Sequence, residues 1–427
     1  MFNKILKSFL SIIFIVLSFA IVVFAQTHTE INLPNIPGYF TLKCDFHMHT
    51  PFSDGTVWPP DRVTEAWMEG LDGIAITDHV EFISYPQDVR KQPNRAYELA
   101  LSKAKELGVL LVQGAEITRD MPPGHFNALF IKNDSLLTIK DPLKAIEEAA
   151  KQNAFILWNH PGWTGQQPDG IARWYENHTL IYEKGWLKGI EVVNSSEYYP
   201  KAFQWALDKN LTMFGNSDIH VPVAFRWEKE LGQHRPVTLV FSKNRSLDAL
   251  RQALEAGRTA IYFENKLIGR EEYLSLLFNE MVTVQNDRQS LTPDGNIYFQ
   301  VHNHSDVDLT LEADKEAKNL IFPEKVKLWA HRTVRFSVRV KSMEQFYQKI
   351  KVPFFVKNMI IEPEKSLPVN LESEAVNLYA LQIMPGKKEN EFFINGGKMP
   401  DDIQVFYTLN DDKKPAAINH GFTAKES

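Results

Sequence analysis

From Thr41 onward, short apolar runs alternate with segments in which apolar residues recur every three or four positions. The second kind of spacing is typical of amphipathic helices. Gly70 and Gly108 stand where such helices would end. Each apolar run is followed by side chains that can bind metal: LKCDF by His47 and His49, GIAIT by His79, VLLVQGA by Glu116, AFILWN by His160, GIEVVNSS by Glu197, and LTMFGNS by Asp218 and His220.

Short buried strands that alternate with helices are typical of parallel βαβ units. Six or seven such units in residues 41–282 favour a closed βα barrel over an open sheet. In a barrel of this kind, the C-terminal ends of the strands meet at one rim and form the active site. We therefore expect the polar residues that follow the runs to converge.

The pattern changes after about residue 275. Alternating and β-branched runs, divided by polar turns, replace the helical spacing. This pattern predicts an antiparallel β-sandwich over residues 283–427, with a polar tail after Lys413. The runs are GNIYFQVHNHSDVDLTLEA, EKVKLWAHRTVRFSVRVKS and VPFFVKNMIIEP. No binding motif stands out in them, so we expect an accessory domain.

The first 25 residues predict a secretory signal peptide. Lys4 and Lys7 precede a long apolar stretch that ends in Val23-Phe24-Ala25, a suitable cleavage site. An uncleaved membrane anchor is the alternative, because the stretch nearly reaches spanning length. We expect export to the periplasm or the medium, with residues 26–40 as a linker and membrane contact only if the segment is retained.

The composition is that of an ordinary globular protein, with 44% hydrophobic and 23% charged residues among 427. The formal net charge of -6 does not favour a nucleic-acid-binding patch, since such patches are basic. Cys44 is the single cysteine, so no intrachain disulfide can form.

Nine side chains make a candidate ligand set for metal ions. Alternate residues of a strand point to the same side, so the first two histidines can share an ion. Mixed imidazole and carboxylate ligands suit Zn, Mn or Fe, and nine are enough for two or three ions. The candidates are His47, His49, Asp54, His79, Glu116, His125, His160, Asp218 and His220.

A set of motifs in a fixed order resembles the PHP (polymerase and histidinol phosphatase) family over residues 42–265. The resemblance implies a distorted seven-stranded βα barrel that hydrolyses phosphate esters at a centre of two or three metals. The motifs are DFHMHTPFSDG, GIAITDH, GAEIT, GHFNALF, NHPG and GNSDIH, closed by ALEAGRTAIY.

The resemblance also implies how the ligands divide among the ions, for which we expect Mn before Zn or Fe. Family members vary at the Asp54 position, and if Asp54 only caps a helix the centre is effectively dinuclear. The first ion would be held by His47, His49, Glu116 and Asp218, the second by Glu116, His125 and His160, and the third by His79, His220 and Asp54.

The implied reaction is attack of a metal-bridged hydroxide on phosphorus. Arg119 and Arg226 are candidates for a cation that stabilises charge on the phosphoryl oxygens, although either could be a surface residue. Asp54 or His220 could protonate the leaving group if it is not fully engaged with metal.

The substrate is expected to be a small-molecule phosphate ester. Trp58 and Trp163 could wall a pocket for an apolar ester group, or could only pack loops onto the barrel. The export signal, the NHPGW loop and the C-terminal domain resemble a secreted phosphodiesterase branch. Few arginines follow the motifs, which also favours diesters. The alternatives are a phosphomonoesterase, like histidinol phosphatase or a nucleotide phosphatase, and a non-catalytic metal-stabilised binding protein.

Overall fold

The computed structural model describes residues 28–380 except 91, 229, 230 and 346, together with the backbone of strands at 382–385, 392–395, 403–409 and 415–422. The predicted signal segment, residues 1–25, lies outside this part. Among the described residues, none of the helices has the length and the apolar composition of a membrane span. The described chain forms two compact units: one contains Gly38–Glu264 and the residues before Asn32, the other Asn32–Pro37 and the residues from Asn265.

In the first unit, strands and helices alternate along the chain. The elements are β1 (Phe40–Asp45), α1 (Pro59–Met68), β2 (Gly73–Ile76), α2 (Arg95–Leu107), β3 (Leu110–Ile117), β4 (Phe126–Leu129), α3 (Pro142–Lys151), β5 (Phe155–Trp158), α4 (Glu176–Glu183), β6 (Leu187–Asn194), β7 (Glu197–Tyr198), α5 (Pro200–Asp208), β8 (Thr212–Asn216), β9 (Val237–Ser242), α6 (Leu247–Glu255) and β10 (Thr259–Phe263).

Strand direction is mixed, which differs from the expected run of parallel units. β1, β2 and β3 are parallel, as are β5, β6 and β8. However, β4 is antiparallel to β3 and β5, and β9 is antiparallel to β1 and β10. The loop of residues 118–125 is too short for the crossover that a parallel β4 would need, so the chain turns back.

β8 meets β9 and β10 through side-chain hydrogen bonds, and in the described part of the chain no ladder joins β8 to β9 or to β10. Gly215 donates its N–H to Thr238 Oγ1 (3.0 Å), and the Thr259 hydroxyl donates to the Met213 carbonyl (2.9 Å). A Cβ on Gly215 would lie 2.3 Å from Ile261, so glycine permits this close approach. The ring of strands is therefore distorted at this seam.

The interior of the first unit is apolar below the rim that bears the candidate ligands. Fully buried side chains from different strands pack together there, including Cys44, Phe46, Phe155 and Phe214. α2 ends at Gly108, which takes the left-handed conformation (φ 71°) that the sequence predicts for a helix end. The helices bury small faces, such as Ala96, Ala100 and Ala104 of α2, against this layer.

The second unit is a β-sandwich preceded by a helix. Its elements are β11 (Lys266–Gly269), α7 (Glu271–Met281), β12 (Val282–Val284), β13 (Arg288–Ser290), β14 (Asn296–Asn303), β15 (Leu309–Ala313), β16 (Leu320–Ile321), β17 (Lys325–Leu328), β18 (Thr333–Val340), β19 (Tyr347–Glu362), β20 (Lys365–Val376), β21 (Gln382–Pro385), β22 (Phe392–Asn395), β23 (Ile403–Leu409) and β24 (Pro415–Phe422).

One sheet of the sandwich orders its strands β12-β14-β18-β16, all antiparallel. The other is built on the long antiparallel pair β19 and β20, with β15 beside β19 and β17 beside β15. Burial alternates along β14 and β18, as one-sided strands require. The division predicted at residues 282/283 stays a prediction; α7 falls within the second compact unit, which begins at Asn265.

Candidate metal centre

One rim of the first unit carries all nine candidate ligands. Parallel strands reach this rim with their C-terminal ends, so residues after β1, β2, β5 and β8 arrive there. β4 runs the other way, and His125 therefore reaches the same rim by preceding its strand. Sequence order alone did not show this reversal. The rest of the set lies at strand ends or in the loops that follow them: His47, His49, Asp54, His79, Glu116, His160, Asp218 and His220.

These nine residues form four overlapping groups in which the possible ligand atoms lie within 4.8 Å of one another. Glu197, which also follows an apolar run, is in none of the four. The sharing of members between groups is the arrangement that several closely spaced ions need. The groups are His49, Asp54, His79 and His220; His47, His49 and Glu116; His47, His160 and Asp218; and Glu116, His125 and His160.

Glu116 lies at the centre of the cluster and is fully buried. Its Oε1 accepts a hydrogen bond from Asn159 Nδ2 (2.9 Å) and lies 3.1 Å from His125 Nδ1, while Oε2 lies 2.7 Å from His79 Nδ1. Burial would raise the pKa of this carboxyl, but the neighbouring imidazoles, His79 and His47 foremost, hold it well below its usual range. An ionised carboxylate with both oxygens in reach of separate groups suits a bridging ligand.

Two buried nitrogen atoms test whether the cluster fits metal ions. Within the described residues, His47 Nε2 and His49 Nε2 make no hydrogen bond. They lie 3.2 and 3.0 Å from Asp218 Oδ1, at angles unsuited to a hydrogen bond. Buried polar atoms without partners are costly, and a cation between these atoms would satisfy them. The donor set therefore fits divalent metal ions.

Asp54 contacts the three histidines of its group, with its Oδ1 3.6 Å from His49 Nδ1. Its Oδ1 lies 3.3 Å from His220 Nε2, and its Oδ2 lies 3.4 Å from His79 Nε2. Asp54 does not cap α1, because the N-cap position of that helix is Trp58. The geometry thus places Asp54 with the third set of candidate ligands, and its role as a ligand remains a prediction.

The pKa values of the imidazoles in the cluster are shifted in opposite directions. Burial and the charges of His220 and His79 lower the pKa of His49 to about 3. Burial would also lower the pKa of His79, but the carboxylates of Glu116 and Asp54 outweigh it and raise that pKa to about 10. Metal ions must displace such protons to bind, so metal affinity should depend on pH.

Glu191 supports the cluster from behind and was missed by the sequence analysis. Its Oε1 lies 2.9 Å from His47 Nδ1, and its Oε2 accepts the backbone N–H of His160 (2.7 Å). Asn194 and Asn216 each donate to it as well. A carboxylate on the far nitrogen of a metal-binding histidine fixes the orientation of the ring. The one available signal was an acidic residue inside the apolar run GIEVVN.

Arg62 joins the two loops that carry most of the ligands. This buried guanidinium donates to the carbonyl of His49 (2.9 Å) after β1, and to those of Ile219 (3.2 Å) and Val221 (2.9 Å) after β8. Glu65 balances its charge at 2.8 Å. No role for Arg62 is visible in the sequence, because the residue occurs within an ordinary helical pattern.

Two ligand candidates have backbones in the left-handed region, which non-glycine residues seldom adopt. His160 has φ 25° and Asp218 has φ 52°. The Asp218 N–H donates to the His47 carbonyl (2.9 Å), so the surrounding structure holds this conformation in place. Backbone strain of this kind is typical of functional sites.

A cavity of about 400 Å³ opens beside the cluster. Trp163 is one of its walls, with its ring centroid 5.4 Å from that of His160 and 5.8 Å from that of His125. The turn between β6 and β7 and the segment of residues 219–226 form the other walls. The cavity is large enough for a small ester next to the ligands.

A PHP domain model matches residues 45–289, more than half of the chain. The chain belongs to the PHP family. An Ig-like domain model matches residues 282–372 in the sandwich. These matches confirm the family and the fold class predicted from the sequence, an α/β PHP fold followed by a domain of mainly antiparallel strands.

Two proteins illustrate the relationship. One is a crystal structure of a two-domain protein from Bacteroides vulgatus, described as containing a predicted PHP-like metal-dependent phosphoesterase. Its sequence is 43% identical to this chain, and the TM-score of the two structures is 0.77. The match covers 82% of this chain and 99% of that chain. An uncharacterised protein of Methanocaldococcus jannaschii is 35% identical over 82 residues, which are 19% of this chain. The chain spans about a third (36%) of that relative's length.

The two arginines proposed near the PHP site have different surroundings. Arg226 lines the cavity and donates from Nη2 to Ser195 Oγ (2.6 Å). Arg119 is outside the described lining of that cavity; its guanidinium bonds Glu81 and the carbonyls of Thr118 and Ile139. Of the two, Arg226 is therefore the one placed to meet a substrate.

The two tryptophans proposed for the pocket also differ. Trp163 lines the cavity with 42% of its surface exposed. Trp58 is equally exposed but is not among the described lining residues, and its ring packs 5.4 Å from that of Phe52 at the start of α1. Its contacts are those of a residue that packs a loop, the alternative that the sequence left open.

Proposed function

We propose that this metal-dependent phosphoesterase of the PHP family hydrolyses small phosphate diesters. The observation that carries the proposal is the charge of the cavity wall. Among the described residues that line the cavity, Arg226 is the one lysine or arginine side chain. A monoester carries nearly two negative charges and a diester carries one. A single guanidinium beside the metal ligands is better matched to the diester.

In this proposal the metal ligands divide as the resemblance implies, with Glu116 shared between the first and second sets. Divalent ions held by these residues would supply Lewis-acid activation of water and of the phosphoryl oxygens. We propose Mn as the ion, in two or three copies. The support is a mixed histidine and carboxylate donor set that suits Mn, Zn or Fe alike, and the closeness of Asp54 to His79 and His220, which makes a third set available.

Two cavity residues take the remaining roles in the proposal. Arg226 stabilises negative charge that develops on the phosphoryl oxygens. His220 donates a proton to the leaving alcohol when the third set holds no ion. Burial would lower the pKa of His220, but Asp54 and Asp218 raise it above its ordinary value, which favours the protonated form that an acid needs.

The proposal is tested with the purified chain reconstituted with Mn. We expect kcat/KM for bis(p-nitrophenyl) phosphate to exceed that for p-nitrophenyl phosphate by about tenfold or more, the effect of one unmatched charge at about 1.4 kcal/mol. A preference for the monoester would move the assignment to a phosphomonoesterase. Hydrolysis of neither ester by the metal-loaded protein would favour the non-catalytic binding protein.

A further inference from the structure

The turn between β6 and β7 brings a carboxylate to the cavity that the metal groups do not use. In this hairpin, Asn194 pairs directly with Glu197. Directly paired residues on antiparallel strands point to the same face. The Asn194 side chain lies toward the cluster, with Nδ2 2.8 Å from Glu191 Oε2 and 3.5 Å from Asp218 Oδ2. Glu197 therefore faces the same side, and it lines the cavity.

The Glu197 carboxylate is held in place. The Tyr199 hydroxyl donates to its Oε2. Tyr199 itself is buried, with 4% exposed, and its ring packs so tightly on Gly162 that a Cβ there would lie 2.8 Å from it. Within the described residues, the Tyr199 hydroxyl is the one side-chain partner of this carboxylate. Its other oxygen remains available to accept from a ligand.

Arg226 lines the same cavity but does not neutralise Glu197. Its guanidinium donates to Ser195 Oγ, and among the described side chains no ion pair joins Arg226 to Glu197. Opposite charges that share a cavity without pairing can each meet a different part of one ligand. The arrangement suits a ligand that carries both an anionic and a cationic group.

The substrate of a phosphoesterase is anionic, so a carboxylate in its pocket needs an explanation. Glu197 would repel the phosphoryl group and attract a cation. Trp163, half-exposed on the cavity wall, offers an aromatic face of the kind that attracts ammonium groups. A carboxylate together with an indole ring is a combination that recognises alkylated or primary ammonium ions.

We propose that the preferred diesters carry an ammonium group on one ester alcohol, as amino-alcohol phosphodiesters do. The phosphoryl group lies at the metal ligands and Arg226, and the ammonium group lies at Glu197 and Trp163. This inference rests on the proposed diesterase function. The reaction is simple hydrolysis: the oxygen of water bonds to phosphorus, one P–O ester bond breaks, and the alcohol leaves with a proton.

The test uses the Mn-loaded full chain and two matched diesters. p-Nitrophenyl phosphorylcholine carries the cation, and p-nitrophenyl 3,3-dimethylbutyl phosphate has the same shape without charge; both release p-nitrophenol. We expect kcat/KM to favour the choline ester by about tenfold, and Glu197→Gln to reduce that ratio to about twofold. Glu183→Gln, which removes an exposed charge on α4, serves as the control and should keep the full ratio.

Two results would overturn the inference: equal rates for the two esters, or a ratio that Glu197→Gln leaves intact. If the protein hydrolyses none of the esters, the diesterase proposal fails, and calorimetric titration with phosphorylcholine decides the rest. Binding that Glu197→Gln weakens about tenfold would support the ammonium site, and no binding would overturn it.

Discussion

The two units of the chain bury different kinds of polar residue. In the described part of the PHP unit, the buried side chains include acidic and basic residues such as Glu116, Glu191 and Arg62. In the described part of the Ig-like unit, the buried polar residues are neutral: Asn303, Ser305, Ser373 and Asn377.

The neutral residues of the Ig-like unit satisfy the backbone. Asn303 donates to the carbonyls of Val307 (2.8 Å) and Leu328 (3.1 Å) and so completes the structure around it. The charges of the PHP unit are costly to bury and are kept because they compensate one another and can hold ions. The comparison indicates that one unit is built for chemistry and the other for packing.

The largest effect expected is on metal binding when the central carboxylate is removed. Glu116→Ala should lower bound metal to less than one ion per chain and reduce kcat/KM at least about 100-fold, because both oxygens of Glu116 face other candidate ligands. Metal analysis and steady-state kinetics measure the two effects. Glu312→Ala, an exposed acid of the Ig-like unit, is the control. Full metal content and activity in Glu116→Ala would refute the bridging role.

The matching change in the Ig-like unit is a core substitution that removes apolar packing. Phe299 is fully buried, with its ring 5.5 Å from that of Phe336. Phe299→Ala should cost about 3–5 kcal/mol in the free energy of unfolding of that unit. Urea denaturation measures the loss, and metal analysis in the folded baseline should give the wild-type content. Loss of metal from the folded variant would contradict the view that metal binding depends on the PHP unit and not on packing in the Ig-like unit.

A buried histidine outside the ligand set should make the PHP unit sensitive to acid. Both ring nitrogens of His178 have hydrogen-bond partners in the backbone, since Nδ1 accepts from the Tyr175 N–H (3.0 Å) and Nε2 donates to the Pro123 carbonyl (2.7 Å). A second proton, on Nδ1, would point at the Tyr175 N–H, which is itself a donor. Burial accordingly lowers the pKa of His178 from its ordinary value of 6.5 to about 4.

The sign of the effect follows from that depressed pKa. Neutral His178 contributes its full stability above pH 6.5, and the contribution is lost as the pH falls from there toward 4, by about 3 kcal/mol in total. Denaturation of metal-free wild type and His178→Gln at several pH values measures it, because the other groups titrate in both. An equally steep loss of stability in the variant would contradict the assignment.

The smallest effect expected is that of the residue behind the ligands. Glu191→Gln keeps the shape of the side chain but removes the charge that faces His47 Nδ1. We expect metal affinity to fall about 10–100-fold, as for other changes behind a metal site. Competition with a chelating dye measures the affinity, and the thermal midpoint of the metal-free protein shows whether folding is preserved. Unchanged affinity would mean that Glu191 is only structural.

The direction of the strands could not be predicted from their spacing. His125 precedes β4 and reaches the rim only because that strand is antiparallel to its neighbours. The sequence-based set still included it, because the family motif GHFNALF carries the residue. Here the resemblance compensated for a pairing that apolar runs do not encode.

The direction of long side chains was equally hidden. Arg119 and Arg226 have similar positions in the sequence, each a few residues beyond a ligand candidate. In the structure, Arg119 bonds Glu81 and two backbone carbonyls, whereas Arg226 lines the cavity. Arg62 lies in a helical pattern that would normally put an arginine in solvent, yet it is buried beneath two loops. Such outcomes depend on which acceptors the folded chain brings near.

The amino-acid sequence was sufficient to predict the family, the two kinds of domain and the residue types of the candidate ligand set, because apolar periodicity and residue type are local properties of the chain. The folded chain was needed to show which oxygen faces which nitrogen, that Glu191 and Arg62 support the candidate ligands, and that Glu197 shares a cavity with Arg226 and Trp163. Those relations join residues far apart along the chain, and they exist only once the strands have paired and the loops have met at one rim.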